Sequence, residues 1–551
     1  MKRVLQMPWL ARRILLCAAG TAGMALLASG ALSAQEETAK PAAGGAAADE
    51  DEPLGPEPIE EIELSIQQAV EMGLARNFDV RIARLEGEIS ARATVIQEAV
   101  FDPFFTLGAN YSKNRRPTVS FIDIEGAEDV PYAQVNPFET SGFSTGLGGR
   151  TLLGTSYSLI VNESGFDRPL AGDRFGFNPV EEASIRLSAT QPLLKGAGYP
   201  YNSAGIQIAE NNRRLAMEDI ETAISNLIFS IEAAYWQLVF SSRNYAAREN
   251  SLKVAAENVE KARKEQAAGT QPRIYVTTIE GQLARRKVEL NDALLQLDES
   301  RDSLLDLLQY KGESLRRVWE EGGKGGSFEG IRVKPLSEPA EPGIVPERGP
   351  SLAAAFERRA DHRRFAALLD SQRTLVEMRR NEQLPQLDFT ATWAQYGLDD
   401  SFTGSFSSLG SGDFYGWTVG LQLAMPLLNR GLRSSYEIAR DQYQRLQWQR
   451  LQAENLIIME VDQSIRRLKS MARKQVYLDD LVRLKATELA AERTRLAGGL
   501  SIPFTVNTIE NDLLELQAQA LQAKTNLEGA RAAYDRATGG LLARYGVQME
   551  K

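Results

Sequence analysis

The sequence predicts a mostly helical, internally duplicated protein in which long coiled-coil hairpins alternate with short runs of β-strand. Twelve residues occur twice in similar form, GTQPRIYVTTIE at 269–280 and GLSIPFTVNTIE at 499–510. Each copy separates two long helical stretches whose apolar residues follow heptad spacing. Elsewhere in each half, apolar and polar residues alternate with period two, which is typical of strands.

The heptad seam is copied together with the turn. The first seam consists of Ile279, Leu283, Arg286, Leu290, Ala293, Leu297, Ser300 and Leu304, and the second, 230 residues later, of Ile509, Leu513, Leu516, Ala520, Ala523, Leu527, Ala530 and Tyr534. Upstream of each turn, helical runs are predicted over about 201–268 and 432–497. At 1.5 Å per residue each run is roughly 100 Å long, which is expected of an extended coiled coil.

Both copies of the repeated motif predict a reversal between two helices. Gly269 in the first copy, and Gly498 or Gly499 in the second, can take the left-handed conformation that ends a helix. Pro272 and Pro503 suit the first turn of the next helix, where a missing amide hydrogen costs little. The two motifs are therefore predicted to be hairpin tips that lie far from the strands.

A change to period two follows the first helical segment of each half. These segments cover about 64–100 and 351–382, and the alternating stretches begin after Pro103 and Pro385. Two returning strands are predicted just before QPLL at 191–194 and MPLL at 425–428.

Strict alternation indicates that one face of each strand meets an apolar partner, which is either lipid or the core of a small soluble sheet. Tyr111, Trp393 and Trp417, near predicted strand ends, favour lipid, as do two polar stretches at 113–140 and 397–413 that we expect to be loops.

The N-terminus indicates export. Lys2, Arg3, Arg12 and Arg13 precede an apolar stretch at 14–28, and small residues then offer cleavage just after Ala31 or Ala34. No second apolar run of the roughly 20 residues that a bilayer span needs is evident. Cleavage after residue 34 shifts the net charge from −10 to about −14, which disfavours nucleic acid as a partner.

Six regions follow from these patterns. They are a signal peptide at 1–34, a disordered linker at 35–60, a first repeat at 61–311, a midway insert at 312–350 with one extended piece at 331–336, a second repeat at 351–545 and a tail at 546–551. The linker is rich in Ala, Gly, Pro and acidic residues and includes the acidic cluster at 49–52, which suits a disordered lead-in.

No enzyme is predicted, and neither a catalytic residue nor a cofactor or metal site. The single cysteine, Cys17, lies in the signal peptide, and the single histidine, His362, has a charged helical context that predicts a solvated surface residue. The GxSxG pattern at 142–146 lies in an alternating stretch without a following helix, and GGKGG at 322–326 lacks the spacing of a phosphate loop.

The ordered set of motifs resembles the TolC-like outer-membrane efflux proteins. The resemblance rests on LSIQQAVEMGLARNFDV at 64–80, on the QPLL and MPLL junctions, and on the two tips with their VTTIE and VNTIE continuations, and it covers nearly all of 64–545. It implies a homotrimer whose strands form one shared outer-membrane β-barrel. It also implies that the helices continue this barrel as an α-helical barrel across the periplasm of a Gram-negative-type cell.

The resemblance further implies that the tips meet a periplasmic adaptor that links the duct to an inner-membrane transporter. Carried over to this chain, the adaptor contacts are Gly269, Thr270, Gly499, Leu500 and Ser501. The alternative is that these residues only terminate helices.

The chain departs from the family pattern in two places. Positions where many members carry acidic residues at the entrance constriction hold Tyr275, Thr278, Thr505 and Thr508, and the nearest acidic alternatives are Glu280 and Glu510. The first half also contains two extra alternating pieces, at 142–148 and 155–161, so each protomer supplies six strands if both enter the barrel wall and four if they fold over a loop.

The function that these expectations define is a passive conduit from periplasm to exterior in a tripartite efflux or secretion system. The rival is a periplasmic coiled-coil tether without a pore, which explains the heptads but predicts no use for well-alternated strands.

Overall fold

The computed structural model describes residues 60–122, 130–167, 179–310 and 331–547. The chain divides into two units, 1–55 and 56–551, and all described residues belong to the second. The predicted signal peptide, the predicted linker up to residue 59 and the GGKGG segment lie outside the described residues.

Long helices dominate the described residues and form one hairpin in each half. The helices of the first half are α1 (Ile66–Arg76), α2 (Phe78–Glu98), α3 (Tyr199–Asn202), α4 (Ala204–Ala267) and α5 (Arg273–Leu307). Those of the second half are α6 (Arg348–Arg358), α7 (Ala360–Glu382), α8 (Phe402–Ser411), α9 (Arg430–Ala497), α10 (Pro503–Ala537) and α11 (Leu541–Arg544). Since α4 and α9 have 64 and 68 residues, the two long helical runs predicted from the heptads are confirmed.

The described strands form two sheets. In the smaller one, β1 (Glu60–Leu64) pairs in parallel with β6 (Ile331–Pro335). The larger sheet has six antiparallel strands in the order β2-β3-β4-β5-β7-β8. These are β2 (Phe104–Ile122), β3 (Val130–Arg150), β4 (Ser156–Asp167), β5 (Val180–Pro192), β7 (Gln386–Asp399) and β8 (Tyr415–Ala424). The first extra alternating piece lies within β3, and the second, apart from Thr155, lies within β4. The first half therefore supplies four strands of the sheet and the second half two.

The prediction of loops at 113–140 and 397–413 is wrong for the described residues 113–122 and 130–140 and for most of 397–413. The strands β2 and β3 continue as a ribbon until Ile122 pairs with Val130, because polar side chains also bond across strands, as Ser112 and Thr140 do at 2.6 Å. In the second stretch, Ser401 caps α8 by accepting from the Gly404 amide at 3.3 Å. This helix packs against β7 at Gly397, where a Cβ would lie 2.2 Å from the Ser405 carbonyl oxygen.

The two faces of the six-stranded sheet differ in polarity. One row of paired residues across all six strands is apolar throughout: Phe105, Leu147, Leu159, Leu187, Trp393 and Trp417. All six side chains are exposed in the single chain. The adjacent row on the opposite face consists of small or polar residues apart from its first member: Phe104, Gly148, Ser158, Ser188, Thr392 and Thr418. An apolar face of this extent needs an apolar partner outside the chain.

The main core surrounds the middle of α4. Ile228, Ile231, Tyr235 and Leu238 are fully buried there among residues of α1, α5 and the small sheet. Gly73 permits close approach of α1, because a Cβ at this position would lie 2.4 Å from Ile231 Cδ1. The predicted seams are confirmed in both hairpins, where the most deeply buried members are Leu290, Ala293, Leu304, Ala523, Leu527 and Ala530.

Each first helical segment is broken in two, which the periodicity did not predict. In the first half the break is at Asn77, whose side chain caps α2 by accepting from the amides of Asp79 and Val80. In the second half it is at Arg359, which bonds Glu460 at 2.6 Å and also Asp361. Asn77 satisfies free amides at the start of α2, whereas the half-buried Arg359 donates to Asp361, Glu460 and the Ala537 carbonyl. Neither residue changes the apolar spacing of its segment.

One described helix, α4, contains an 18-residue window of mean hydropathy 1.2, of which 56% is buried. The expectation that no second apolar run has the length of a bilayer span was therefore wrong for α4 by length and composition alone. Its buried residues belong to the main core, and a core helix passes the same test, so this window is weak evidence for a span.

Candidate functional site: the hairpin tips and the cleft between them

The two hairpin tips have the same backbone hydrogen bonds. Gly269 and Gly499 have φ of +74° and +72°. In the second tip the Gly499 amide donates to the Leu496 carbonyl at 3.0 Å and the Leu500 amide to the Arg495 carbonyl at 2.9 Å. The first tip has the equivalent bonds from Gly269 and Thr270 at 2.9 and 3.0 Å. This pattern is the Schellman motif, which satisfies the last carbonyls of a helix and favours glycine at the left-handed position.

The prolines confirm the reversal with one small difference. Pro503 is the first residue of α10, as predicted, whereas Pro272 precedes the first residue of α5 by one position. Of the two glycines considered in the second copy, Gly499 is left-handed and Gly498 is not, with φ of −83°.

The variant Gly499→Ala tests the tip conformation. A left-handed alanine costs about 1 kcal/mol, so we expect hydrogen exchange of the Leu500 amide to be about five times faster than in the unaltered protein. Its neighbour provides the control, because Gly498→Ala keeps an ordinary φ and leaves exchange within about two-fold. Equal effects of the two substitutions would contradict this account of the tip.

An arginine and a glutamate pair across each hairpin near the tip. Arg263 of α4 bonds Glu280 of α5 at 2.9 Å, and Arg493 of α9 bonds Glu510 of α10 in the equivalent place. Glu280 raises the pKa of Arg263 through this hydrogen bond. The two glutamates named as acidic alternatives at the entrance are thus paired within their own hairpins.

The other four expected constriction residues take two kinds of position. The hydroxyls of Thr278 and Thr508 each donate to the carbonyl four residues earlier at 2.9 Å, and both residues are exposed. Tyr275 packs within the first hairpin against Val276 and Val259, and burial raises its pKa. Thr505 is half-buried at the start of α10.

A cleft of about 770 Å³ lies between the two hairpins. Of the six expected constriction residues, Thr278, Thr508 and Glu510 line it, together with Arg285, Arg286 and Arg493 and residues of all four tip helices. The structure therefore brings half of the predicted set to one site. Of the others, Glu280 pairs with Arg263, Tyr275 packs within the first hairpin and Thr505 lies at the start of α10.

Two contacts join α5 to α10 across this cleft. The Asn507 side-chain amide donates to Gln282 Oε1 at 3.2 Å, and one turn further along, the Arg286 guanidinium donates to Asn511 Oδ1. Arg286 also bonds Glu289, which pairs with Arg248 of α4 at 2.8 Å. A polar chain therefore runs from α4 through α5 to α10.

These bridging residues were not predicted, although the sequence held one signal. Arg286 occupies a seam position, where an apolar residue is the rule. A charged group in a seam needs a partner, and here its partners are Glu289 and Asn511.

The predicted docking residues are accessible. Gly269, Thr270, Gly499 and Leu500 are exposed, and Ser501 is half-buried through a bond from its hydroxyl to Glu492. Large apolar side chains are exposed at or near the tips: Ile274, Leu500 and Phe504 are 71%, 74% and 66% exposed. Ile274 and Phe504 occupy equivalent positions of the two copies. Such exposed apolar groups mark surfaces for partners.

His362 differs from its prediction as a solvated surface residue. Its ring is mostly buried between α7 and α9, lies 5.3 Å from the Phe356 ring and has Nδ1 3.0 Å from the Phe356 carbonyl oxygen. This burial could not be predicted from the charged residues next to His362 in the sequence, because its partners Phe356 and Glu454 belong to other helices. Ser144 of the GxSxG pattern lies within β3, and no metal-binding group of three or more His, Cys, Asp or Glu occurs in the described parts of the chain.

The fold is similar to that of solved outer-membrane channels. The solved channel OprN has a TM-score of 0.59 at 14% identity, covering 86% of this chain and 90% of its own. CusC, described as forming a transmembrane channel, has 0.59 at 13% identity, covering 86% and 92%. VceC from Vibrio cholerae has 0.57 at 16% identity, covering 86% and 96%. No match was found among curated proteins.

Residues 352–540 match the family model described as outer membrane efflux protein. This match covers that part of the chain only. With the shared fold, it confirms the expected resemblance to the TolC-like outer-membrane efflux proteins.

Proposed function

We propose that three copies of this chain form a duct that passes cargo without covalent chemistry from the periplasm to the exterior. The strands build one barrel in the outer membrane and the hairpins an α-helical barrel below it. Residues 1–34 direct export and are removed, and the regions at 61–311 and 351–545 are the two repeats of the duct on either side of the insert at 312–350.

The observation that carries this proposal is the six-stranded sheet with two open edges. Its exposed apolar row suits lipid, and the small and polar row opposite suits a watery interior. Neither β2 nor β8 has a partner on its outer side among the described strands. Open edges are not tolerated in hydrocarbon, so the sheet requires further strands from other copies.

The direct test is conductance of the purified protein in a planar bilayer. A trimeric duct gives discrete current steps and leaves membranes only with detergent. A tether without a pore gives no current and is released by salt or alkali, and that pair of results would remove the conduit from consideration.

The tips are proposed to dock on a periplasmic adaptor that links the duct to an inner-membrane transporter. The proposed docking contacts are Gly269, Thr270, Gly499, Leu500 and Ser501. The proposed entrance constriction consists of Thr278, Thr508 and Glu510, which line the cleft, and of Tyr275, Glu280 and Thr505, which do not line it. Exposed leucine and phenylalanine at the second tip support a partner with an apolar surface.

The variant Leu500→Asp tests docking apart from conduction. A charge in the centre of an apolar interface is expected to lower export about ten-fold or more without changing the single-channel current. Export is measured in the native host as the amount of a dye or drug that cells retain. The compound is chosen as one that accumulates in a strain from which this protein has been deleted. Ile344, which is exposed and lies far from the tips in the sequence, provides the control Ile344→Asp. Full export by Leu500→Asp would contradict docking at this tip.

A further inference from the structure

Resting on the trimer proposed above, we propose that the barrel has 18 strands and that β8 of one copy pairs with β2 of the next copy in one register, with Ala424 opposite Phe104. The partner that completes each sheet edge is thus a second copy of this chain. The register follows from the strand pairing within one copy.

The two edges are complementary in direction and composition. Consecutive strands of the sheet are antiparallel, so β2 and β8 run in opposite directions and can pair as neighbours. Both carry large exposed apolar residues on the same face of the sheet, Phe105 and Leu107 on β2, and Trp417, Leu421 and Leu423 on β8. With an even number of strands per copy, every junction of a closed ring is antiparallel.

The sheet is staggered, and the stagger can be read from its pairing. The row that starts at Phe104, near the helical end of β2, reaches Thr418 on β8. From Thr418, β8 continues for six more residues to Ala424 before the chain enters α9. Across one copy, the helical end of the last strand, β8, is therefore six residues below the row that starts at the helical end of β2.

Closure of the barrel determines the register in which the next copy pairs. If all copies leave the helical region at one level, Ala424 meets Phe104 of the next copy, and three copies accumulate a shear of about 18, equal to the strand number. Eight-stranded barrels with equal strand number and shear have a tilt of about 36°, and the same ratio gives the same tilt here. This tilt lies within the range of membrane barrels, roughly 35–45°.

The same register preserves the two faces across the junction. It places Leu423 opposite Phe105, Leu421 opposite Leu107, and Trp417 opposite Tyr111. A shift of one residue would place these apolar groups beside the interior row, which a sheet with one apolar face excludes. A shift of two in one direction would place Trp417 opposite Lys113, with a charge beside the aromatic row. The same shift in the other direction would place Leu423 opposite Pro103, which precedes β2.

The consequence is a wide pore. With strands about 4.8 Å apart at a tilt of about 36°, 18 strands give a backbone radius of roughly 17 Å, against roughly 11 Å for 12 strands. Barrels of 16–18 strands leave an aqueous channel. The membrane part is thus not the narrowest section, and the cargo limit lies at the hairpin entrance.

Cysteine pairs on the interior face test the register. Because the only cysteine lies in the predicted signal peptide, Thr418→Cys with Asn110→Cys provides a clean pair whose members are directly opposite in the proposed register. Mild oxidation of the detergent-purified protein is expected to give covalent dimers and trimers at least ten times more abundantly than two controls. The controls combine Thr418→Cys with Gly108→Cys or with Ser112→Cys, where the Cα atoms are diagonal and farther apart.

Light scattering of the same samples separates the two proposals. A trimer whose bonds form mainly in a control pair overturns the register. A monomer overturns the assembly. A ring of another size with a disulfide between positions 418 and 110 keeps the register but rejects both the trimer and the count of 18 strands. A disulfide between positions 418 and 110 of the same copy would show that the two edges of one sheet pair with each other, which overturns the open edges.

Discussion

A protein that lacks both hydrogen bonds between α5 and α10 at the cleft is expected to conduct at least roughly ten times more current in a planar bilayer than the unaltered protein. The variant is Gln282→Ala with Arg286→Ala, which removes the bonds to Asn507 and Asn511 across the cleft. A hydrogen bond to a charged group contributes about 1.5–3 kcal/mol. Losing it shifts the balance between joined and separated hairpins towards the separated, open state.

The matched control is Arg285→Ala. Arg285 lines the same cleft and carries the same charge, but in the described part of the chain no hydrogen bond joins it to the second hairpin. Its removal is expected to leave the current within about two-fold, since charge alone then changes. Equal currents from the double variant, the control and the unaltered protein would mean that these contacts do not hold the entrance closed.

The second large effect concerns stability and the buried cluster around Arg544. This residue of α11 lies 3.6 Å from Glu232 of α4 and 3.0 Å from Asp535 of α10. Glu232 is fully buried. Burial raises the pKa of both carboxyl groups, and Arg544 opposes that rise. Arg544→Ala is expected to lower the free energy of unfolding by about 3–5 kcal/mol, because it leaves the fully buried Glu232 without its cation and removes the ion pair of the half-buried Asp535.

The pH dependence of this variant has a definite sign. With pKa values above those of the unfolded chain, about 4.3 for Glu and 3.9 for Asp, the folded state binds more protons. Stability is therefore fully present below the unfolded values and is lost as pH rises through the raised ones. Glu528 and Tyr545 face the same cluster, and Glu528 adds to the rise for Glu232.

Urea unfolding of the detergent-solubilised protein at pH 5 and pH 8 measures this effect. The deficit of Arg544→Ala is expected to be larger at pH 8. Glu232→Leu with Arg544→Met, an apolar replacement of similar volume, is expected to recover most of the loss. A deficit that is independent of pH would show that Arg544 acts through packing alone.

The sequence predicted those parts of the fold that depend on local chemistry. Heptads located α4 and α9, and glycine followed by proline located both tips, because a left-handed residue and a missing amide are constraints within a few residues. Alternation located the strands, including the two extra pieces in β3 and β4. Their entry into the sheet could not be predicted, because pairing depends on partners distant in the sequence.

The site was predicted only in part for the same reason. Thr278, Thr508 and Glu510 line the cleft, but the contacts that cross it come from residues 225 positions apart, Gln282 with Asn507 and Arg286 with Asn511. The breaks at Asn77 and Arg359 also depend on tertiary partners, the Leu307 carbonyl and Glu460. Apolar spacing carries no information about such polar contacts.

The hydroxyl of Tyr235 anchors the middle of α4 to the small parallel sheet. It donates to the Leu64 carbonyl at 3.0 Å and accepts from the Ser337 amide at 2.9 Å. These bonds tie α4 to the last residue of β1 and to the chain just after β6. From Tyr235 to the end of α4 at Ala267 the lever arm is about 48 Å long. A swing of only about 12° around this point carries the tip sideways by about 10 Å. If α4 rotates as a rigid rod around Tyr235, a large displacement of the hairpin tip requires only a small rotation at Tyr235.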